Sequence, residues 1–224
     1  MLFVALREIK QKIKMKKTII LSLVLVNTFF TAFSQSDKFV GAMTGALEQM
    51  KTAKTPEENA AVAAKFERIG DAEKTQWLPY YYAALIKARM AFEAKDKDKA
   101  ADEATALLDK AEALEKNNSE IFCVRATICY GHMMVDPMNR WMQYGAEATK
   151  NLEASKKADA TNPRPVLLQA NSLKNTPEQF GGGCATAKPV AEKAAKLLAD
   201  FKPASPLHPN WGKEMADQIL ESCK

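Results

Sequence analysis

Helical periodicity runs through almost the whole chain beyond residue 36 and restricts it to helical folds. Phe39, Met43, Ala46, Leu47 and Met50 follow the i, i+3, i+4, i+7 spacing that places side chains on one helix face. No segment alternates apolar and polar residues in the way that a half-buried strand does. Alanine is abundant and β-branched residues are few, which favours helices further. The sequence therefore predicts an all-α fold of about nine helices.

The predicted helices form pairs, and the pairs recur along the chain. Successive pairs begin near Trp77, Glu120 and Pro165, and the last helix begins near Trp211, at intervals of about 44–45 residues. The second helices of two pairs end in the similar stretches KAEALEKNNSE and EASKKADATNPRP. Self-similarity at such a period predicts an α-α superhelix of tetratricopeptide-like helical hairpins, with longer helices and loops than the 34-residue standard repeat.

The start of the chain has the three-part layout of a secretory signal peptide. Met15 opens a short basic region, an apolar run follows over residues 18–33, and Ser34 precedes the expected cleavage site. The run is shorter than the roughly 20 residues of a membrane span. We therefore predict a signal peptide over residues 1–34, with the better start at Met15, and a helical domain over 35–224. The mature protein is expected in the periplasm or outside the cell, without a stable membrane span.

Removal of this segment changes the charge of the protein. The whole chain has 32 Lys and Arg against 27 Asp and Glu, but six of the basic residues and one acid lie within residues 1–34. The mature chain therefore carries 26 of each sign and no formal net charge. Nucleic-acid binding requires an excess of basic residues to displace counterions from phosphates. The composition argues against a nucleic-acid partner.

Several stretches of the C-terminal half carry a family resemblance. VDPMNRWMQYG, NTPEQFGGGC and PNWG are similar to segments of secreted tetratricopeptide-repeat-like proteins of the Bacteroidota, over most of residues 75–224. This resemblance implies an α-solenoid in the cell envelope that binds a protein or peptide partner. Cys184 and Pro189, in the helix after the glycines, depart from the family pattern at positions where Lys and longer apolar residues are expected.

The stretch TPEQFGGGCATAKP at 176–189 is a candidate phosphate loop or a structural turn. A Walker loop needs Gly-Lys-[Ser/Thr] after a strand, whereas Pro189 stands here where the hydroxyl should be. The structural interpretation makes Thr176 a helix cap with Pro177 at the first helical position, and places Phe180 in the core. Gly181 then ends the turn in the left-handed conformation, and the next two glycines, Gly182 and Gly183, allow close backbone approach. Anion binding by the glycine amides remains an alternative.

Four cysteines in an exported chain permit disulfides. If the eighth and ninth helices form an antiparallel hairpin, Cys184 and Cys223 lie together at its open end, where they can form a bridge. Cys123 and Cys129 lie about 9 Å apart along one helix axis, on different faces, and cannot pair with each other. We interpret both as small buried residues.

Consecutive aromatic residues at the start of the third helix suggest a binding surface. Successive positions advance by 100° around a helix, so at least one of Trp77 and the three tyrosines at 80–82 is expected to be exposed. The first helix of each pair lines the concave surface of a solenoid, and exposed aromatic and Arg side chains are favoured interface anchors. The candidate groove residues are Tyr80, Tyr81, Lys87, Arg125 and Tyr130; packing between repeats is the alternative role for each.

Catalytic and metal sites are not indicated. The two histidines, His132 and His208, do not occur in a metal-ligand spacing, and a Cys129/His132 pair lacks an identifiable partner. We predict no enzyme activity, no cofactor and no metal. The leading function is a non-enzymatic envelope scaffold that presents a concave helical surface to an unidentified protein or peptide partner. The alternative is a ligand-handling component of an envelope uptake system, with a pocket near the glycine turn.

Overall fold

The computed structural model describes residues 36–224, so the predicted signal peptide lies outside the described residues. Residues Phe39–Lys224 form one compact unit. Its helices are α1 (Asp37–Thr52), α2 (Pro56–Glu73), α3 (Leu78–Met90), α4 (Lys97–Leu114), α5 (Ser119–Met133), α6 (Pro137–Arg140), α7 (Ala146–Ala158), α8 (Arg164–Asn175), α9 (Cys184–Asp200) and α10 (Lys213–Ser222).

A π-helical turn at Trp141–Gly145 joins α6 to α7 without a break, and a 3₁₀ turn at Glu178–Phe180 precedes α9. If residues 137–158 are counted as one continuous helix, residues 36–224 contain nine helices and no strand. The predicted all-α class is confirmed.

Local sequence signals set several helix starts. Thr55 forms the predicted capping box: its hydroxyl accepts a hydrogen bond from the Glu58 amide at 3.1 Å, and the Glu58 carboxylate accepts one from the Thr55 amide at 3.1 Å. Asn118 caps α5 and Asp136 caps α6 through side-chain oxygens. These side chains satisfy backbone donors that have no partner within the helix.

Helix α3 is the centre of the structure and is buried around nearly its whole circumference. It packs against α2, α4 and α5, and the Tyr82 hydroxyl donates a hydrogen bond to the Leu207 carbonyl at 2.9 Å, from the loop that precedes α10. Tyr80, Tyr81 and Tyr82 are all buried and Trp77 is half-buried. The prediction that at least one of these four aromatic side chains is exposed is wrong. The loop before α10 packs against the side of α3 that a two-layer solenoid would leave open.

A buried ion pair joins the C-terminal part of the chain to this centre. Arg164 is fully buried; its Nη1 donates to the Glu120 carboxylate at 2.8 Å and its Nη2 donates to the Pro209 carbonyl at 2.6 Å. Glu120 also accepts hydrogen bonds from Tyr81 at 3.0 Å and Asn162 at 2.9 Å. Burial raises the pKa of Glu120, while the Arg164 charge acts in the opposite direction. One cluster therefore holds α3, α5, the start of α8 and the 201–212 loop together.

The glycine stretch is a tight turn between α8 and α9. Gly181 adopts the predicted left-handed conformation with φ of 82°, and Gly183 has φ of 86°. A Cβ atom on Gly182 would overlap the Thr176 carbonyl oxygen, as expected for the predicted close approach of two backbone segments.

Two expectations about this turn are wrong. Thr176 does not cap the 3₁₀ turn that follows Pro177; its hydroxyl donates to the Ser172 carbonyl at 2.9 Å, so Thr176 ends α8 instead. Phe180 is 67% exposed and does not anchor the turn in the core. The three-residue turn is too short to carry this side chain back to the helices.

We expect Arg164→Met to lower the free energy of unfolding by about 3–5 kcal/mol, because it leaves the Glu120 carboxylate buried without its cation. Urea denaturation followed by circular dichroism measures this loss. Lys213→Met removes the exposed ion pair with Asp217 and is the control, with an expected change below about 1 kcal/mol. Equal effects of the two substitutions would contradict the importance assigned to the buried pair.

We expect Gly182→Ala to destabilise the protein by about 1–3 kcal/mol, because the added methyl group meets the Thr176 backbone. Gly41→Ala is the matched control: it lies in α1 with open space around its Cα and should stabilise by about 0.5–1 kcal/mol. Thermal unfolding of both variants tests the prediction, which fails if Gly182→Ala melts at the temperature of the parent protein.

Candidate functional site

A concave groove lies between α3, α5, α8 and the start of α10. Its volume is about 250 Å³ and most of its lining is apolar or aromatic. The lining residues are Leu85 and Arg89 from α3, Phe92 from the turn that follows it, Thr127 and Tyr130 from α5, Leu168 and Asn171 from α8, and Trp211 and Met215 from the C-terminal segment. We call this site the central groove.

Helical spacing explains how these residues reach one surface. Leu85 and Arg89 follow i, i+4 along α3, with Phe92 in the turn just beyond its end, and Thr127 and Tyr130 follow i, i+3 along α5. Side chains at these spacings lie on one face of a helix. Helices α3, α5 and α8 are the first helices of successive predicted pairs, which is where a concave surface is expected in a solenoid.

Arg89 supplies a positive charge to the central groove. Its guanidinium carbon lies 5.0 Å from the centre of the Trp211 ring, and no carboxylate of residues 36–224 forms an ion pair with it. The side chain is open to water, but the surrounding walls desolvate it enough to lower its pKa from the usual value. Arg89 is therefore a cation available to an anionic group of a ligand.

Trp211 is held in place from behind the groove. Its indole Nε1 donates a hydrogen bond to the Tyr81 hydroxyl at 2.8 Å, and Tyr81 donates to Glu120. The buried Arg164 guanidinium carbon lies 5.2 Å from the indole centre. Gly212 follows with φ of 124°, and a Cβ atom there would lie 2.7 Å from Leu167 Cδ2. These contacts fix the aromatic wall of the groove before any ligand binds.

Tyr130, one of the candidate groove residues, lines the central groove. It is half-buried, and this burial raises the pKa of its phenol. Tyr130 is thus a polar, oxygen-bearing group on a largely apolar surface.

The other four candidate groove residues lie elsewhere, and their assignment is corrected. Tyr81 is fully buried in the Glu120 cluster, and Tyr80 is buried with its hydroxyl donating to Asp71 at 2.8 Å. Lys87 donates to Glu103 at 2.7 Å, and Arg125 pairs with two acidic residues of α4, Asp109 and Glu112. Lys87 therefore binds the second helix of its own hairpin, and Arg125 binds the second helix of the preceding hairpin; neither lines the groove.

Of the nine residues that line the central groove, sequence reasoning named only Tyr130 and missed the other eight, among them Arg89, Trp211 and Met215. Arg89 had a detectable signal, since it is a cation on the same helical stripe as Leu78, Tyr82 and Leu85. Trp211 and Met215 reach the groove only because the 201–212 loop crosses back to α3, and the local sequence carries no sign of that crossing.

The backbone amides of the glycine turn all donate hydrogen bonds to backbone carbonyls within the turn or at the end of α8. Gly181 donates to the Glu178 carbonyl at 2.9 Å, Gly182 to Pro177 at 3.2 Å and Gly183 to Leu173 at 2.9 Å. With all three donors engaged by the backbone, the turn has no free amides for a phosphate. This geometry argues against the anion-binding alternative, while a ligand pocket near the turn stays a prediction.

A second depression is larger but differs in character. It has a volume of about 440 Å³ and is bordered by four charged residues at 95–98 and by the exposed side chains of Met134 and Val135. It lacks the aromatic wall of the central groove.

The cysteines divide into one bonded and one unbonded pair. Cys184, which begins α9, forms a disulfide with Cys223, which follows α10. Cys123 and Cys129 are buried free thiols, as expected. Burial raises the pKa of Cys129 to about 12 and raises that of Cys123 even further. Both thiols remain protonated and are poor nucleophiles.

Neither histidine lies in the central groove. His132 Nδ1 is 2.8 Å from Asp98, and its ring stacks on Tyr144, while His208 Nδ1 is 2.8 Å from the Ser205 hydroxyl. Residues 36–224 contain no cluster of three His, Cys, Asp or Glu side chains suited to a metal ion. Over the same residues, no helix has the length and apolar character needed to cross a membrane.

The fold has a counterpart among solved structures. The HusA haemophore from Porphyromonas gingivalis is 35% identical to this chain, with a TM-score of 0.76 over 86% of this chain and 96% of HusA. This chain belongs to the same family as HusA. No family model matches this chain, and no curated protein matches it. A haemophore is a binding protein, so the likeness to HusA supports the non-enzymatic interpretation.

We expect replacement of Cys184 and Cys223 by Ser to lower the free energy of unfolding by about 2–4 kcal/mol, because the bridge closes a loop between residues 39 positions apart. Denaturant unfolding of the double variant measures this. Reductant should destabilise the parent protein by a similar amount and leave the double variant unchanged. The prediction is wrong if non-reducing mass spectrometry of exported protein finds both cysteines free.

Proposed function

We propose that this protein is an exported, non-enzymatic carrier that binds haem or a closely related tetrapyrrole in the central groove. The observation that carries the proposal is an aromatic, largely apolar groove that contains a cation without an ion-pair partner, in a chain that matches a haemophore over nearly the full length of that protein. Export rests on the predicted signal peptide at 1–34, which precedes the helical domain at 35–224.

The chemistry of the groove suits such a ligand. Haem has a flat apolar macrocycle with two carboxylate groups on one edge. Leu85, Leu168 and Met215 offer apolar contact, and Trp211 offers an aromatic surface for stacking. Arg89 lies beside Trp211, where it can bind a carboxylate of a ligand that rests against the indole. The residues present therefore fit a macrocycle with an acidic edge.

The dimensions of the groove suit a carrier that releases its ligand. Its volume of about 250 Å³ is below the roughly 300–1,000 Å³ of sites that enclose a drug-sized ligand. A tetrapyrrole bound here remains partly outside the walls, and the exposed Phe92 lies at the rim to cover some of that part. A ligand that remains partly accessible can be passed to another protein without unfolding of the carrier.

A protein partner is the second candidate function, and a separate surface favours it. Met138, Trp141 and Met142 on α6 and the π-helical turn are 59–75% exposed. Exposed clusters of large apolar side chains mark interaction surfaces in soluble proteins, and Trp and Met are enriched in them. This surface replaces the tyrosine-rich surface expected from the sequence as the candidate site for a protein or peptide partner.

We expect the purified protein to bind haemin with one site per chain, and Arg89→Gln to weaken that binding at least about tenfold through loss of a charged hydrogen bond to a carboxylate. Titration followed by haem absorbance and by quenching of tryptophan fluorescence measures both affinities. Arg68→Gln is the matched control, because Arg68 is an exposed arginine outside the groove, and this variant should bind like the parent protein.

Two results would contradict the proposal. If the parent protein shows no saturable haemin binding, the tetrapyrrole assignment is wrong. Alternatively, Arg68→Gln and Arg89→Gln could weaken binding equally, which would indicate non-specific attraction of an anion and not a site at the central groove.

A further inference from the structure

A shared reference level allows the heights of groove residues along α3, α5 and α8 to be compared. The Glu120 carboxylate accepts hydrogen bonds from Tyr81 on α3 at 3.0 Å and from Arg164 on α8 at 2.8 Å, so these three residues lie close to one height. The three helices run in the same direction, because each is the first helix of a hairpin. Helices α3 and α5 also meet at their far ends, where a Cβ atom on Gly131 would lie 3.4 Å from the Ala91 Cβ.

Three polar side chains of the central groove lie at a similar height beyond this level. Arg89, Thr127 and Asn171 come seven or eight residues after the reference residue of their own helix, which is about 10–12 Å at the rise of an α-helix. Leu85 and Leu168 come four residues after it, at about 6 Å. The groove therefore has an apolar layer near the reference level and a polar layer beyond it. We call Arg89, Thr127 and Asn171 the polar band.

Two members of the polar band have hydrogen-bond donors available to a ligand. Arg89 has no carboxylate partner, as described above. The Thr127 hydroxyl donates to the Cys123 carbonyl at 3.0 Å and so offers only lone pairs. The Asn171 side-chain oxygen accepts a hydrogen bond from Asn175 Nδ2 at 3.3 Å, whereas Asn171 Nδ2 donates to no acceptor among residues 36–224. The amide nitrogen of Asn171 is therefore the second available donor of the band.

We propose that Asn171 binds the second carboxylate of a tetrapyrrole whose first carboxylate is bound by Arg89. This inference rests on the proposed function. Helix α5 packs against both α3 and α8, and neighbouring helices lie about 8–10 Å apart. The carboxylate edge of the ligand therefore crosses α5 along the polar band, while its apolar ring lies toward Leu85 and Leu168. The groove then selects macrocycles that carry two carboxylates on one edge.

The test compares haemin with its monomethyl and dimethyl esters, which block one or both carboxylates, on the purified full-chain protein. We expect the affinity of the parent protein to fall at each esterification, by at least about tenfold over the two steps, because an ester accepts only neutral hydrogen bonds. Asn171→Leu keeps the approximate size of the side chain and removes the donor. It should weaken haemin binding about fivefold and leave binding of the dimethyl ester unchanged. Quenching of tryptophan fluorescence measures each affinity.

Two further variants complete the design. Asn171→Asp keeps the shape of the side chain but places a negative charge beside the ligand carboxylate, so haemin binding should fall further than in Asn171→Leu. Asn59→Leu is the matched control, because Asn59 is a half-buried asparagine on α2 outside the groove, and this variant should bind every ligand like the parent protein. Circular dichroism checks the fold of each variant, and the monomethyl ester tests the second carboxylate on the parent protein alone.

The outcomes separate this inference from the proposed function. If Asn171→Leu binds haemin as tightly as the parent protein does, or if the parent protein binds haemin and the monomethyl ester equally, Asn171 does not bind a carboxylate and the haem-binding proposal stands. Equal losses for haemin and the dimethyl ester in Asn171→Leu would also overturn the inference, because Asn171 would then contribute only packing. If the parent protein binds neither haemin nor its esters, both proposals fail together.

Discussion

The buried ion pair between Arg164 and Glu120 is the interaction on which the rest of the structure depends. It joins the start of α8 to α5, and through the Pro209 carbonyl it holds the loop that carries Trp211. Burying two charges is costly unless each finds partners, and here hydrogen bonds from Tyr81 and Asn162 complete the cluster around Glu120. The shape of the central groove follows from this cluster, because Trp211 forms one of its walls.

The two arginines that contact the Trp211 ring, Arg164 and Arg89, have different roles. Arg164 is buried and paired, and its charge contributes to the architecture. Arg89 contacts the same indole ring at a similar distance but has no carboxylate partner among residues 36–224. Arg89 remains open to water beside the indole, so its charge is available to an acidic group of a ligand. The contrast between the two arginines is the main physical support for a binding role of the groove.

Local features were predictable from the sequence, and features that depend on distant contacts were not. The Thr55 capping box, the Gly181 turn and the helix that contains Cys123 and Cys129 follow from short-range patterns. The burial of Tyr81 was missed because it depends on Trp211, 130 residues away. Thr176 shows that a local pattern can also mislead. The TPEQ stretch matches the capping-box pattern, but the Thr176 hydroxyl instead donates a hydrogen bond to the Ser172 carbonyl at the end of α8.

We propose that the ligand lies between α3, α5, α8 and α10. The most direct test is NMR spectroscopy of the protein with ferric haem. The paramagnetic iron of the haem broadens the signals of nearby residues. Broadening should be strongest around Tyr130, Leu168 and Trp211, and the signals of the glycine turn should be unaffected. Broadening centred on Met138, Trp141 and Met142, or on Gly181, Gly182 and Gly183, would contradict it.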